Sequence, residues 1–227
     1  MGQAAPNRLT SQLKYTVALA GATGLVGHCV LRRLLDDPEV ARVIAPTRRA
    51  LPPHPKLENP LTASGWPVFA PIDEAYSCLG TTRKIAGSDA AFRAVDLDLV
   101  IAFARAAKTG GARRFGLVSS AGANAASSLL YPRTKGEAEK AVAGFGFETV
   151  AIARPSLLLG TRTVPRTAEK IGEAVLTMIK PLLIGPLRKY RAISGEAVAG
   201  TLIASVRSKF PGTLVLESDA LQAHLVE

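Results

Sequence analysis

Tyr131 and Lys135 stand four residues apart, and a little upstream two serines, Ser119 and Ser120, close the apolar run Phe115-Gly-Leu-Val118. Pro132 suits the first turn of a helix, where its missing N–H costs nothing. On such a helix Tyr131 and Lys135 share a face. A phenol, with an ordinary pKa of about 10, is a poor proton donor or acceptor at neutral pH. An ammonium beside it favours the phenolate and makes general acid/base work accessible. A serine hydroxyl nearby can orient a substrate carbonyl by hydrogen bonding. Neighbours on a strand point to opposite faces, so one serine of the pair faces the substrate, and the reading favours Ser119 by a small margin. The Tyr-x-x-x-Lys spacing is weak alone and gains weight only from what surrounds it.

A second set of residues lies near the start of the chain. The apolar run Tyr15-Thr-Val-Ala-Leu-Ala20 leads into Gly21-Ala-Thr-Gly-Leu-Val-Gly27. A strand ending in a glycine-rich turn and followed by a helix offers backbone N–H groups to the phosphates of a dinucleotide. Gly21 is expected to make the tight turn and Gly24 to let the pyrophosphate approach. Gly27 is expected to let the helix pack closely, with Thr23, Leu25 and Val26 completing the loop. The spacing is G-x-x-G-x-x-G rather than G-x-G-x-x-G. Its context supports it, because Val26, Val30 and Leu34 make one apolar helical face. At the end of the second strand an acidic residue would hold the 2′-hydroxyl of NAD. This chain has Thr47-Arg48-Arg49 instead, and guanidinium groups suit a 2′-phosphate. The expected cofactor is therefore NADP(H) in preference to NAD(H).

Joined together, the Gly21–Gly27 loop, Ser119/Ser120, Tyr131 and Lys135 resemble the extended or atypical branch of the short-chain dehydrogenase/reductase superfamily. The stretches Cys78-Leu-Gly-Thr-Thr-Arg-Lys-Ile-Ala-Gly87, Ser119-Ser-Ala-Gly-Ala-Asn-Ala-Ala-Ser-Ser128 and Tyr131-Pro-Arg-Thr-Lys-Gly-Glu137 narrow this further. They are similar to the Tat-interacting-protein oxidoreductase-like family, whose bacterial members are small NAD(P)H-binding proteins. The resemblance runs from about Lys14 to Leu216, and the Cys-Leu-Gly-Thr-Thr block is its most specific part. It implies a Rossmann-type fold and a bound nicotinamide dinucleotide, with Leu79, Gly80 and Thr81 along the cofactor. It also implies that Arg154, Pro155 and Leu157 pass near the nicotinamide, whose ribose Lys135 would hold. It supplies no substrate. Many relatives carry an asparagine of a proton relay in the helix after strand four. Here the sequence is Ala94-Val-Asp-Leu-Asp98, so Asp96 would fill that place.

These residues need a scaffold, and the chain alternates as an α/β, doubly wound parallel sheet does. Strands are expected at residues 15–20, 42–46, 74–79, 114–119, 149–153 and 213–217. Helices are expected at 24–36, 88–108 (stopped by Gly110-Gly111), 131–144, 167–179 and 196–208. The proline-rich stretch from Leu51 to Pro71 reads as irregular. A single domain over residues 1–227 is expected, with a small substrate-side region from about residue 155. Apolar faces of the two C-terminal helices close the core, line an apolar pocket or make a homodimer contact.

With 28 basic and 18 acidic residues the formal net charge is +10. The basic residues are scattered as pairs and no nucleic-acid module is visible, so a solvated basic surface is expected rather than a nucleic-acid partner. No transmembrane segment is expected, since Lys180, Pro181 and Pro186 interrupt the run from Ile171 to Leu187. Met1 to Lys14 is polar without an apolar signal core, and Cys29 and Cys78 show neither metal-ligand spacing nor a disulfide framework. The expected address is the cytoplasm. The expected function is NADP(H)-dependent hydride transfer to or from a small carbonyl or alcohol. The alternative is a non-catalytic NADPH-binding regulator or redox sensor, motivated by the small substrate region and the missing asparagine.

Overall fold

The computed structural model describes residues 14–62, 65–69, 71–159, 193–208 and 210–223. The apolar runs become strands β1 (Tyr15–Ala20), β2 (Val40–Ile44), β4 (Glu74–Ser77), β5 (Arg114–Val118) and β6 (Thr149–Arg154). Short β3 (Leu57–Glu58) interrupts the proline-rich stretch, and β9 (Gly212–Glu217) comes last. All seven lie parallel in the order β3-β2-β1-β4-β5-β6-β9. Leu158–Leu159 (β7) and Ile193–Ser194 (β8) form a separate parallel pair.

Helix α1 (Leu25–Asp36) buries Val26, Val30, Leu31 and Leu34 against one face of the sheet, together with α6 (Gly195–Arg207). On the opposite face α4 (Leu99–Thr109) and α5 (Leu130–Ala143) cover Phe115, Leu117 and Ile152. Phe103, fully buried, meets Phe115, Phe69 and Trp66 ring to ring. Each such side chain contributes about 1.5–3 kcal/mol of burial. The short helix α7 (Ser218–Ala223) follows β9.

The expected helix over 88–108 is divided. Thr82 caps α2 (Arg83–Ala86), and Gly87 ends it at φ +84°. Ser88 caps α3 (Asp89–Arg93) by accepting from the Ala91 N–H. A π-helical turn, Ala94–Asp98, then joins α3 to α4. The segment is continuous in sequence because apolar spacing does not register one extra residue in a turn. β2 begins two residues before the expected strand, because Val40 already pairs with Tyr15. The helix expected at 167–179 lies outside the described residues.

At the amino ends of the strands a fully buried carboxylate, Glu74, is shared by three donors. Arg207 Nε lies 3.1 Å away, Arg114 Nη2 3.2 Å, and the buried Tyr76 hydroxyl donates at 2.9 Å. Arg207 also reaches Asp37 Oδ2 at 2.5 Å. The residues singled out for their chemistry gather at the carboxyl ends of the same strands.

Candidate functional site

The glycine turn is built from contacts that side chains would prevent. Gly21 has φ +80°, and a Cβ on it would lie 2.6 Å from the Cys78 carbonyl oxygen. A Cβ on Gly27 would come within 2.0 Å of the Gly21 carbonyl oxygen, so α1 sits directly against the turn. The Gly24 N–H donates to the Gly21 carbonyl at 2.9 Å, and Gly24, exposed, is the N-cap of α1 with no side-chain cap. The first turn of α1 also has no acidic residue. Its free N–H groups and positive dipole end therefore face outward beside Thr23, which suits a phosphate. Arg48 and Arg49 follow β2, exposed, and form no ion pair among the described residues.

The second half of the site is held by side chains. Helix α5 presents Tyr131, Lys135 and Glu139 at i, i+4 and i+8, hence on one face. Tyr131 is 44% exposed, and its ring stacks on Phe92 of α3 at 5.5 Å. Lys135 is buried, and its Nζ lies 2.6 Å from Asp96 Oδ1. The other Asp96 oxygen accepts from the Thr81 N–H at 2.8 Å. A Cβ built on Gly80 would meet Lys135 Nζ at 3.4 Å and Asp96 Oδ1 at 3.6 Å. The structure therefore brings Gly80, Thr81 and Lys135 together at the carboxyl end of β4. Leu79 beside them packs on the α4–α5 side of the core.

Ser119 and Ser120 are separated by their partners. Ser119 is buried and donates to Glu139 Oε1 at 2.5 Å. The buried Ser120 Oγ has no partner among the described residues. The two hydroxyls therefore differ in that Glu139 engages Ser119 and leaves Ser120 untouched. Arg154 belongs to the same network, with Nε and Nη2 on the two Glu139 oxygens at 3.0 and 2.6 Å and Nη1 on Glu217 at 3.0 Å. The Glu139 hydrogen bond raises the guanidinium above its ordinary range against a burial penalty, and Glu217 adds to it. All three arms of Arg154 are thereby occupied with carboxylates rather than turned to a ligand. Pro155 is buried, its carbonyl accepting from the Ala121 N–H at 2.9 Å, while Leu157 is 46% exposed. Glu139 was missed by the sequence reading, although its spacing from Tyr131 and Lys135 marks it.

Neither cysteine is poised as a nucleophile. Burial pushes the Cys78 thiol up to about 12, with Cys29 adding to it. Burial and the nearby Glu196 push Cys29 up to about 11. The protonated thiol is the unreactive form.

A glycine turn at the carboxyl end of β1, in a parallel sheet flanked by helices on both faces, defines a doubly wound α/β fold of the Rossmann type. WbmF from Bordetella bronchiseptica, solved with NAD+, superposes with a TM-score of 0.65 over 93% of this chain and 77% of that one, at 17% identity. No family model matches the chain. Fmp52 of Aspergillus fumigatus is 41% identical over 165 residues, spanning 67% of this chain and 70% of the relative. HTATIP2 of Rattus norvegicus is 35% identical over 163 residues, spanning 68% of this chain and 67% of the relative. The chain belongs to the family of the Fmp52 and HTATIP2 proteins.

One expectation is overturned by these relatives. The fungal Fmp52 proteins are named as mitochondrial, which points away from the cytoplasm. The physical reason is plain: a missing apolar core argues against a secretory signal and says nothing about import into an organelle. Among the described residues no helix is long and apolar enough to cross a membrane.

Proposed function

We propose that this protein is an NADP(H)-dependent oxidoreductase acting on a small carbonyl or alcohol, in a mitochondrial setting like that named for its fungal relatives. The observation that carries the reading is Lys135: its buried ammonium stands beside Gly80 at the end of β4, one helical turn from the half-exposed Tyr131. The outward N–H groups at the start of α1 would hold the pyrophosphate, with Gly24, Thr23 and Leu25 around it. Arg48 and Arg49, without carboxylate partners among the described residues, would hold the 2′-phosphate. Leu79, Gly80 and Thr81 would line the path to the nicotinamide end. A bound dinucleotide would supply the hydride to a carbonyl or accept it from an alcohol. The chain's own residues do the rest: Tyr131 gives or takes the proton at the substrate oxygen, and Lys135 supports it electrostatically. Ser120, with its unpartnered Oγ, hydrogen-bonds the carbonyl. Ser119 and Arg154 hold the wall behind it through Glu139. We read the chain as one domain, because α6 and β9 complete the core.

The test combines two variants. Calorimetric titration of the protein with NADPH and NADH is repeated on Arg48→Ala/Arg49→Ala. NADPH affinity is expected to fall by about tenfold or more while NADH is unaffected, since hydrogen bonds between charged groups carry about 1.5–3 kcal/mol. No binding of either nucleotide would overturn the reading. A second reading, a non-catalytic NADPH-binding regulator, is favoured by one fact: Asp96 already neutralises the Lys135 ammonium. Tyr131→Phe separates the two. An enzyme loses about 10²–10⁴-fold in turnover on whichever member of a carbonyl panel is reduced, and a regulator turns over none of the panel.

A further inference from the structure

We propose that Asp96 is a positioning residue for the nicotinamide side of the site, pinning Lys135 and the Thr81 backbone to one another so that the ammonium meets the ribose hydroxyls of a bound dinucleotide. This rests on the dinucleotide-binding reading above. Asp96 is fully buried and lies in the π-helical turn Ala94–Asp98. Such turns displace side chains from the regular helical face and recur at functional sites. Its two oxygens join three stretches distant in sequence: Oδ1 pairs with Lys135 of α5 at 2.6 Å, and Oδ2 accepts from Thr81 after β4 at 2.8 Å.

A buried ion pair is a poor means of adding stability, since two apolar side chains of similar volume would serve as well or better. The pair also leaves a need open. An ammonium carries three donors, and the side chain of Lys135 is only 7% exposed. Among the described residues it has no partner besides Asp96. Its remaining donors sit beside Gly80, where the absence of a side chain leaves the backbone open to close approach. Acceptors are therefore wanted at that spot, and a ribose diol supplies two. With Asp96 paired, the corner is electrically neutral. It recognises by hydrogen bonds at fixed positions, whereas Arg48 and Arg49, without ion-pair partners among the described residues, act through charge.

The test compares a whole dinucleotide with its adenine half. Asp96→Asn keeps an acceptor for the Thr81 N–H and removes the charge that holds Lys135. Titration with NADPH is expected to show affinity lowered by about tenfold or more, with adenosine 2′,5′-bisphosphate binding unchanged. Equal losses for both ligands, or no loss for NADPH, would overturn the proposal. Should Asp96→Asn fail to fold, Lys135→Met and Lys135→Met/Asp96→Asn decide. Equal NADPH affinities in those two variants support action through Lys135, and a further loss in the double variant refutes it. If the unaltered protein binds the bisphosphate and not NADPH, this proposal fails while the phosphate-side assignment survives. If it binds neither, the dinucleotide reading itself is gone.

Discussion

The two halves of the site are made of different material. The glycine-turn half is backbone: Gly21, Gly24 and Gly27 create it by what they lack, and the close approaches at Gly21 and Gly27 leave no room for a Cβ. The other half is a set of polar and charged side chains from separate elements, Asp96 with Lys135 and Glu139 with Ser119 and Arg154. The first is specified over seven consecutive residues. The second depends on the fold bringing together positions up to 78 residues apart, as Glu217 and Glu139 are on Arg154. One half is intolerant of added volume, the other of a lost charge.

That contrast can be broken by substitution. Gly27→Ala has the largest expected effect, because its Cβ would overlap a carbonyl oxygen that cannot turn away. We expect a stability loss of about 3 kcal/mol or more, read by urea denaturation, together with lost dinucleotide binding. A stable Gly27→Ala variant with intact binding would mean that the turn is looser than the contrast requires. Glu139→Gln is next. It removes the charge shared by Ser119 and two arms of Arg154, leaving Glu217 alone, and should cost about 3 kcal/mol. Binding of adenosine 2′,5′-bisphosphate should stay within about twofold, since that ligand touches only the other half.

The smallest effect is expected at the opposite end of the sheet. Burial would raise the Asp37 carboxyl, but hydrogen bonds from Arg207 and the Glu39 N–H outweigh it and hold it below the usual value. A lowered folded pKa contributes stability above the unfolded pKa, and that contribution is lost as the pH falls through the folded one. Asp37→Asn should therefore cost about 1 kcal/mol above roughly pH 5. The difference from the unaltered protein should fade as the pH drops through and below about 4. NADPH titration of this variant should be unchanged, which separates stability from the site.

How much of this the chain announced follows the same division. β1, the glycine turn, α1, α5 and β6 were legible, because short-range spacing of apolar residues, glycine and Pro132 determines them. The short helix Arg83–Ala86 and the π-helical turn within the helix expected over 88–108 were not, since neither the Thr82 cap with Gly87 nor one extra residue in a turn shows in an apolar pattern. Lys135 was found by its spacing from Tyr131, whereas its pairing with Asp96 was not, because one additional residue in the π turn sets that contact. What distinguishes Ser119 from Ser120 in the structure is Glu139, twenty residues further on from Ser119.

The strand order also has a meaning for how the molecule is made. β1 pairs with β2 on one side but with β4 on the other, and β6 gains its second neighbour only from β9. Parallel pairing over such separations closes long loops before any contact repays them, so it is slow. While the chain is being synthesised, β6 stays an uncovered edge until residues 212–217 have emerged. Shortening the chain near Pro155 would strand that edge permanently and expose the apolar surface that α6 covers. Aggregation, rather than a smaller working nucleotide-binding protein, is the outcome to expect of such a truncation.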